Sequence, residues 1–261
     1  MLLKHKQSLR HYWELMRELA VNDFKLKYNS SALGYVWSLL RPLALFLVLY
    51  LVFSVFLRIG GGQTNYQFYL LLGIICWTFF ADTTLVAMQS IVNKGGLVKK
   101  VYVPKMIIVV AASLTSLMTF FLNLAVFFIF VFIFRAPLNW HLIFFPLYIL
   151  ELYIFSLGLS LILSALYVSL RDLSHIWEII LQVLFYVTPI IYPLNIIPEK
   201  YHQIIFLNPL AQIIQSMRFA SVNQWATTSS FSVYAFLITG LVFVLGVYIF
   251  RRRSPYFSEK I

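Results

Sequence analysis

Six long apolar runs separated by short polar or charged steps dominate the chain. They fall near 33–57, 66–92, 106–134, 142–168, 176–192 and 231–250. Crossing a bilayer takes about 20 apolar residues at a helical rise of about 1.5 Å each, so each run is read as a membrane-spanning helix. Several runs exceed that minimum, which predicts tilt or extension past the headgroups. Ahead of the first span, Leu9, Tyr12, Trp13, Met16 and Leu19 recur at helical spacing over 8–22, while Arg10, Glu14, Arg17 and Glu18 face away. That pattern predicts an amphipathic helix lying in the membrane interface, with its aromatic rings at headgroup depth.

Three connections carry more structure than a loop requires. Between spans two and three, Gly95-Gly96 and Pro104 bracket Leu97, Val98 and Val101 interleaved with Lys99 and Lys100, so one or two helical turns fit between the breakers. The segment suits either docking to a partner or a plain turn. Between spans four and five stands a charged step, Leu170-Arg171-Asp172-Leu173-Ser174-His175, in which Asp172 or Ser174 is placed to cap the next helix. Between spans five and six, Pro189, Pro193, Pro198 and Asn208-Pro209 break the chain into pieces at 197–207 and 209–222. At about 16 and 21 Å these are too short to cross. They predict either a re-entrant pair capping a cavity or two helices in the headgroup layer.

Composition agrees with the pattern. With 61% apolar and 11% charged residues, the chain has too little polar surface to coat a soluble globule. The net charge of +11 suggests a polyanion partner until its placement is read. With the amino terminus in the cytoplasm, 16 of the 20 Lys and Arg fall on the cytoplasmic side, and only Arg58, Arg135, Lys200 and Arg218 fall outside. This is the positive-inside asymmetry, which puts both termini in the cytoplasm. No cleavable signal peptide is expected, because the first thirty residues are basic and lack an apolar core. The expectation is an all-α integral membrane protein with one transmembrane domain over 1–261. It divides into a cytoplasmic amphipathic segment 1–32, a six-span bundle 33–250 and a cytoplasmic tail 251–261. Within the bundle lie a cytoplasmic coupling loop 93–105 and external helices 193–230.

Chemistry within the spans is sparse. Asp82 and Glu151 each sit well inside a span, where a carboxylate costs around 3 kcal/mol unless it faces protein or water. No Lys or Arg is placed at comparable depth, so no buried ion pair is expected. Each carboxylate fits either a water-lined path or a packing position. Cys76 is the only cysteine, so no disulfide forms within the chain. His175 reads as a hydrogen-bonded surface histidine, since no Cys or carboxylate cluster has metal-ligand spacing. No P-loop, H-E-x-x-H or G-x-S-x-G is present, and the chain is not expected to be an enzyme. The many aromatic residues suit a membrane belt, and Tyr and Trp rings can also stack on sugars.

Together these residues resemble the membrane-spanning subunit of type-2 ABC exporters, specifically the exporters of polysaccharide for O-antigen, capsule and teichoic acid. The resemblance is carried by Asp23-Phe24-Lys25-Leu26-Lys27-Tyr28, Ser31, Leu33-Gly34-Tyr35, Trp37 and Pro42 around the first span. It continues through Gly73, Trp77, Phe80, Asn93, Leu97, Lys100 and Pro104. It closes with Arg171-Asp172, Pro189, Tyr192-Pro193, Pro198 and Asn208-Pro209-Leu210. Arg41 before Pro42 and the Lys99-Lys100 pair depart locally from the family's pattern. The resemblance implies a homodimer bound to two separate nucleotide-binding subunits, which hold the ATP and Mg. It implies a cargo of glycan on an undecaprenyl pyrophosphate-type lipid, exported across the inner membrane. It implies contact with the ATPases through the amino-terminal helix, through Lys94, Gly95, Leu97, Val98, Lys99, Lys100, Val101 and Tyr102, and through Arg171 and Asp172. The channel or gate candidates are Tyr35, Trp37, Trp77, Phe80, Asp82, Glu151, Pro189, Tyr192, Asn208 and Pro209. An exporter of drugs or small lipids with the same fold, or a stand-alone polytopic enzyme or channel, would share much of the pattern.

Overall fold

The computed structural model describes residues 2–29, 34, 36–58, 65–100, 104–138, 140–222 and 229–257. Their regular structure is helical throughout: α1 (Leu2–Asn29), α2 (Val36–Tyr50), α3 (Tyr66–Asn93), α4 (Gly95–Lys100), α5 (Lys105–Ile133), α6 (Phe145–Tyr167), α7 (Leu173–Val187), α8 (His202–Phe206), α9 (Pro209–Val222) and α10 (Ser229–Arg253). Five helical stretches are long and apolar enough to cross a membrane: Val36–Phe56, Tyr66–Asn93, Lys105–Ile133, Trp140–Tyr167 and Val233–Tyr256. They coincide with five of the six expected runs. The remaining run, 176–192, forms the 15-residue α7. At about 22 Å this helix is shorter than a bilayer core. It stops where it does because Pro189 forces the preceding Thr188 into extended backbone (φ −78°, ψ 134°).

α3 is the centre of the bundle, with 72% of its apolar window buried, whereas only 6% of the Val36–Phe56 window is buried. α5, α6, α7 and α9 all pack on α3. Small hydroxyl residues let α3 and α6 approach, as in other membrane bundles. Ser156, Ser160 and Ser164 are buried one above another on α6, and Ser160 Oγ donates to Ser156 O at 2.7 Å and reaches Thr83 O at 3.4 Å. The α6–α10 crossing is tighter still, because two glycines meet there. A Cβ on Gly158 would stand 2.7 Å from the Phe243 Cα, and one on Gly246 would collide with the Gly158 carbonyl.

Three sequence expectations change. The amphipathic helix extends beyond 8–22 to Leu2–Asn29, and its later turns pack on the bundle. Ala20 is fully buried, and its carbonyl accepts from Thr115 Oγ1 of α5 at 3.2 Å. The piece expected as a helix over 197–207 is one 3₁₀ turn, Glu199–Tyr201, followed by the short α8, with another such turn, Leu194–Ile196, just ahead of it. Pro198 supplies no N–H and holds Ile197 extended (φ −89°, ψ 132°), so a continuous helix cannot run through. Neither Asp172 nor Ser174 caps α7. Asp172 stands at the cap position without a side-chain cap bond, and Ser174 Oγ donates back to Arg171 O at 3.2 Å. The helix 209–222 matches α9 at both ends, yet α9 does not float at a surface. Leu210 through Arg218 are all buried, against α3, α6 and α10.

Candidate functional site

A groove of about 510 Å³ runs between α2, α3 and α7. α2 supplies Arg41, Pro42 and Leu45; α3 supplies Trp77, Thr78, Ala81, Asp82 and Leu85; α7 supplies His175, Glu178, Ile179, Leu181, Gln182, Phe185 and Tyr186. A second cavity of about 310 Å³ shares Arg41, Pro42, Thr78 and Asp82 and adds Lys27, Gly34, Trp37, Ser38, Thr119 and Asn123. The two cavities form a polar seam bordered by aromatic rings, with Asp82 at their junction. Arg41 Nη1 lies 3.7 Å from Asp82 Oδ1, and the pair corrects the expectation that no cation reaches this depth. The register explains it. α2 starts only at Val36, so Arg41 sits more than a turn inside the helix and meets α3 where Asp82 emerges. The Arg41 side chain is 79% exposed in a single copy, and that of Asp82 is 23% exposed. Trp77 packs against Phe185 at 5.6 Å and Phe80 at 5.7 Å, and Trp177 donates from Nε1 to Thr84 Oγ1 at 3.0 Å, which fixes α7 on α3.

The second construction closes one end of α7. Where the helix breaks, its last carbonyls and those of the bend lack helical partners and need other donors. Tyr192 Oη reaches the Tyr186 and Val187 carbonyls at 2.8 and 3.1 Å. Tyr66 Oη donates to Ile191 O at 2.6 Å, and Tyr69 Oη lies 3.1 Å from both Pro189 O and Tyr192 O. Arg218 completes the set. Its Nη1 donates to Pro189 O at 2.7 Å, Nη2 to Ile190 O at 2.9 Å and Nε to Tyr69 O at 3.1 Å. Its guanidinium lies over the Tyr69 ring, 3.4 Å from the centroid. The residue is 2% exposed. It is not the loop cation on the outer side that the charge pattern suggested. Gly73 makes the room, since a Cβ there would run into the guanidinium. Asn208 joins the same bend: Oδ1 accepts from Leu210 N at 3.1 Å and Nδ2 donates to Thr188 Oγ1 at 3.0 Å, so it caps α9 and ties it to the end of α7. Pro209 at the first helical position of α9 needs no partner for its nitrogen.

The third construction lies at the other end of α3. Lys94 in the α3–α4 turn donates to Asp23 of α1 at 2.5 Å. Gly95 opens α4, Leu97 and Val98 are half-buried, Lys99 is exposed and Lys100 closes the helix. Arg171 and Asp172 are exposed in the α6–α7 turn, with the Arg171 guanidinium 5.6 Å from the Tyr167 ring centre.

The sequence candidates therefore divide by place. Trp77 and Asp82 line the groove, and Trp37 lines the adjoining cavity. Phe80 and Glu151 are in the core, with Glu151 Oε1 lacking a hydrogen-bond partner among the described residues. Pro189, Tyr192, Asn208 and Pro209 build the bend. Tyr35, Val101 and Tyr102 lie outside the described residues. Sequence reasoning missed Arg218, Tyr69, Arg41, Glu178 and Gln182.

Comparison with known proteins covers the same ground. A family model described as ABC-2 type transporter matches residues 14–222, from within α1 to the end of α9. The chain is 30% identical over 262 residues to the O-antigen export system permease protein RfbA of Klebsiella pneumoniae, covering 99% of both chains. The protein of that name from Myxococcus xanthus is 29% identical over 217 residues, 82% of this chain and 83% of its own. The polysialic acid transport protein KpsM of Escherichia coli is 22% identical over 249 residues, 90% of this chain and 92% of its own.

Proposed function

The chain belongs to the ABC-2 type transporter family, and from that premise we propose that it is the permease subunit of an ATP-driven exporter of lipid-linked polysaccharide, with O-antigen as the cargo. It works as a homodimer in the inner membrane, with two separate nucleotide-binding subunits supplying ATP hydrolysis and the glycan carried on an undecaprenyl pyrophosphate-type lipid. Both termini are cytoplasmic. α7 and the bend after it form the fifth of six crossings, and α8–α9 return into the bundle from the outer side. The relatives at 29–30% identity are O-antigen permeases and the polysialic acid protein stands at 22%, which favours O-antigen over capsule, teichoic acid, drug or small lipid.

The observation that carries this reading is the groove between α2, α3 and α7. A glycan offers hydroxyls to hydrogen-bond and flat C–H faces to stack. The groove offers Asp82, Arg41, Glu178, Gln182 and Thr78 for the first, and Trp77, Phe185 and Tyr186 for the second. It is open along one side in a single copy, so enclosing a polymer requires a second copy facing it. ATP-driven closure of the partner subunits would push on α4 and the 171–172 turn, at the cytoplasmic ends of α3 and α7. Because α7 is fixed to α3 by Trp177 and to α9 by the Arg218 bend, its displacement reaches the outer cap.

The test is a deletion strain. It should accumulate lipid-linked glycan in the cytoplasmic leaflet and lose surface O-antigen, and the chain should copurify with an ATPase whose hydrolysis vanadate inhibits. Normal surface glycan in that strain would refute the assignment of cargo; absence of any ATPase partner would refute the assignment of mechanism.

A further inference from the structure

Three arginines in a row, Arg251, Arg252 and Arg253, end α10, and all three are exposed. Followed by Pro255, they are enough to stop a helix and leave a solvated tail. The chain instead continues through one more helical turn, Ser254–Tyr256, and buries Phe257, which is 2% exposed. Its ring meets Phe250 edge-on, with centroids 5.4 Å apart. Lys105, the first residue of α5, lies 5.6 Å over the same ring and donates from Nζ to Ser254 O at 2.7 Å.

Phe250 and Phe257 belong to an apolar cluster separate from the main core, and Leu97 and Val98 of α4 pack onto that cluster, as does Met106 of α5. α4 has six residues, too few to hold helical form by themselves. Its position is therefore set by what its apolar side chains rest on. Behind the cluster runs α10, which meets α6 at the Gly158–Gly246 crossing.

We propose that Ser254–Phe257 is a positioning element for the coupling corner. Phe257 and Lys105 hold the start of α5 against the end of α10, and α4 rests on the same apolar cluster, so that a displacement of α4 passes to α10 and, through the glycine crossing, to α6. Emptying the Phe257 site would leave α4 with a soft backing, and its motion would be absorbed locally. This inference rests on the reading of α4 as the ATPase contact.

The experiment uses the permease copurified with its ATPase and reconstituted, together with export in cells, and reads glycan delivered per ATP hydrolysed. Phe257→Ala should lower that ratio about threefold or more while the complex assembles and hydrolyses ATP. Phe257→Leu, which refills most of the volume, should restore it. An unchanged ratio in Phe257→Ala overturns the proposal. Where Phe257→Ala does not insert, Lys105→Met removes the bond to Ser254 with the stem retained and carries the same expectation. Lys99→Glu on α4 is the reference. If it uncouples and neither Phe257→Ala nor Lys105→Met does, the positioning role fails and the α4 contact stands. If none of the three uncouples, the α4 contact fails and the positioning role with it.

Discussion

Arg218 shows how one residue sets a local structure. A guanidinium cannot shed its charge, and it has donors on three nitrogens in a fixed plane. Here three nitrogens meet three carbonyls of α3 and the 189–190 bend over an aromatic face. Arg218→Met leaves those carbonyls buried without their donor, and breaking a buried charged network costs about 3 kcal/mol or more. Arg218→Lys fares little better, because one ammonium cannot reach the same fork. Gly73→Ala should destabilise comparably by displacing the guanidinium from the other side. Thermal unfolding of the detergent-purified protein checks all three, and wild-type midpoints would refute the account. Asp82 contrasts with this. Its pair with Arg41 is long and half open to solvent, the kind worth at most about 1 kcal/mol. Asp82→Asn should therefore leave unfolding unchanged and lower glycan export, whereas a parallel loss of stability and export would return Asp82 to a packing role. The sequence made Asp82 visible because a lone carboxylate in an apolar run stands out. It hid Arg218 because the length of 209–222 and its position after the fifth span put that charge among the external ones. The sequence carried no sign of this burial: Gln212, Gln215 and Ser216 share one face at helical spacing, as on a helix with a solvated side, and only the tertiary packing buries all three.

Among the elements, length and period carried most of the fold. Five apolar runs became the helices that the same rules describe, and Gly95-Gly96 with Pro104 marked α4 from both sides. What failed was continuity across prolines and the reach of α1. Pro198 divides 197–207, and nothing in the pattern of 8–22 announces that Ala20 and Asp23 will find partners on Thr115 and Lys94. Such contacts depend on tertiary placement, which a one-dimensional period does not contain. The α6–α10 crossing is similar, since two separate glycines gain meaning only when they meet. Gly246→Val should force these helices apart by at least a methyl width. Overpacking of this kind costs roughly 1–3 kcal/mol, and here the obstructing atom is backbone, so little of the strain can relax. A matched change at Gly240, where a Cβ would meet nothing within 4 Å, serves as the control. Lower thermal stability in Gly246→Val alone is the expected outcome, and equal effects at both positions would remove the crossing from the argument.

At the scale of the whole molecule, one copy leaves both apolar and polar surface uncovered beside the groove. In Val36–Phe56 Pro42 alone is buried, and α7 turns Ile176, Ile179, Val183 and Val187 outward on the face beside the groove. Lipid can cover apolar side chains, but it cannot satisfy Arg41, Glu178 and Gln182 in the same groove. In the proposed dimer, a second copy facing the first would cover both the apolar edges and the polar seam. A two-fold interface also brings a residue near the axis against its own counterpart. Cys76 is buried with its Sγ 3.6 Å from Met217 Sδ, so Cys76→Ala gives a cysteine-free background at modest cost. In that background, single cysteines placed in turn along Val48 and Val55 of the first span and Val183 and Val187 of α7 probe the groove edges. Disulfides need Cα atoms within about 7 Å, so oxidation in native membranes should give a dimer at one or more of these positions. It should give none at Phe132 of α5, which is 84% exposed and distant from the groove. Cross-linking at Phe132 with silence at all four groove positions would mean that copies meet through α5. The groove would then face lipid, and the conduit would have to be sought elsewhere. Cross-linking along the groove edge would instead make the seam around Asp82 the wall of an enclosed path, with two Arg41–Asp82 pairs facing each other across it.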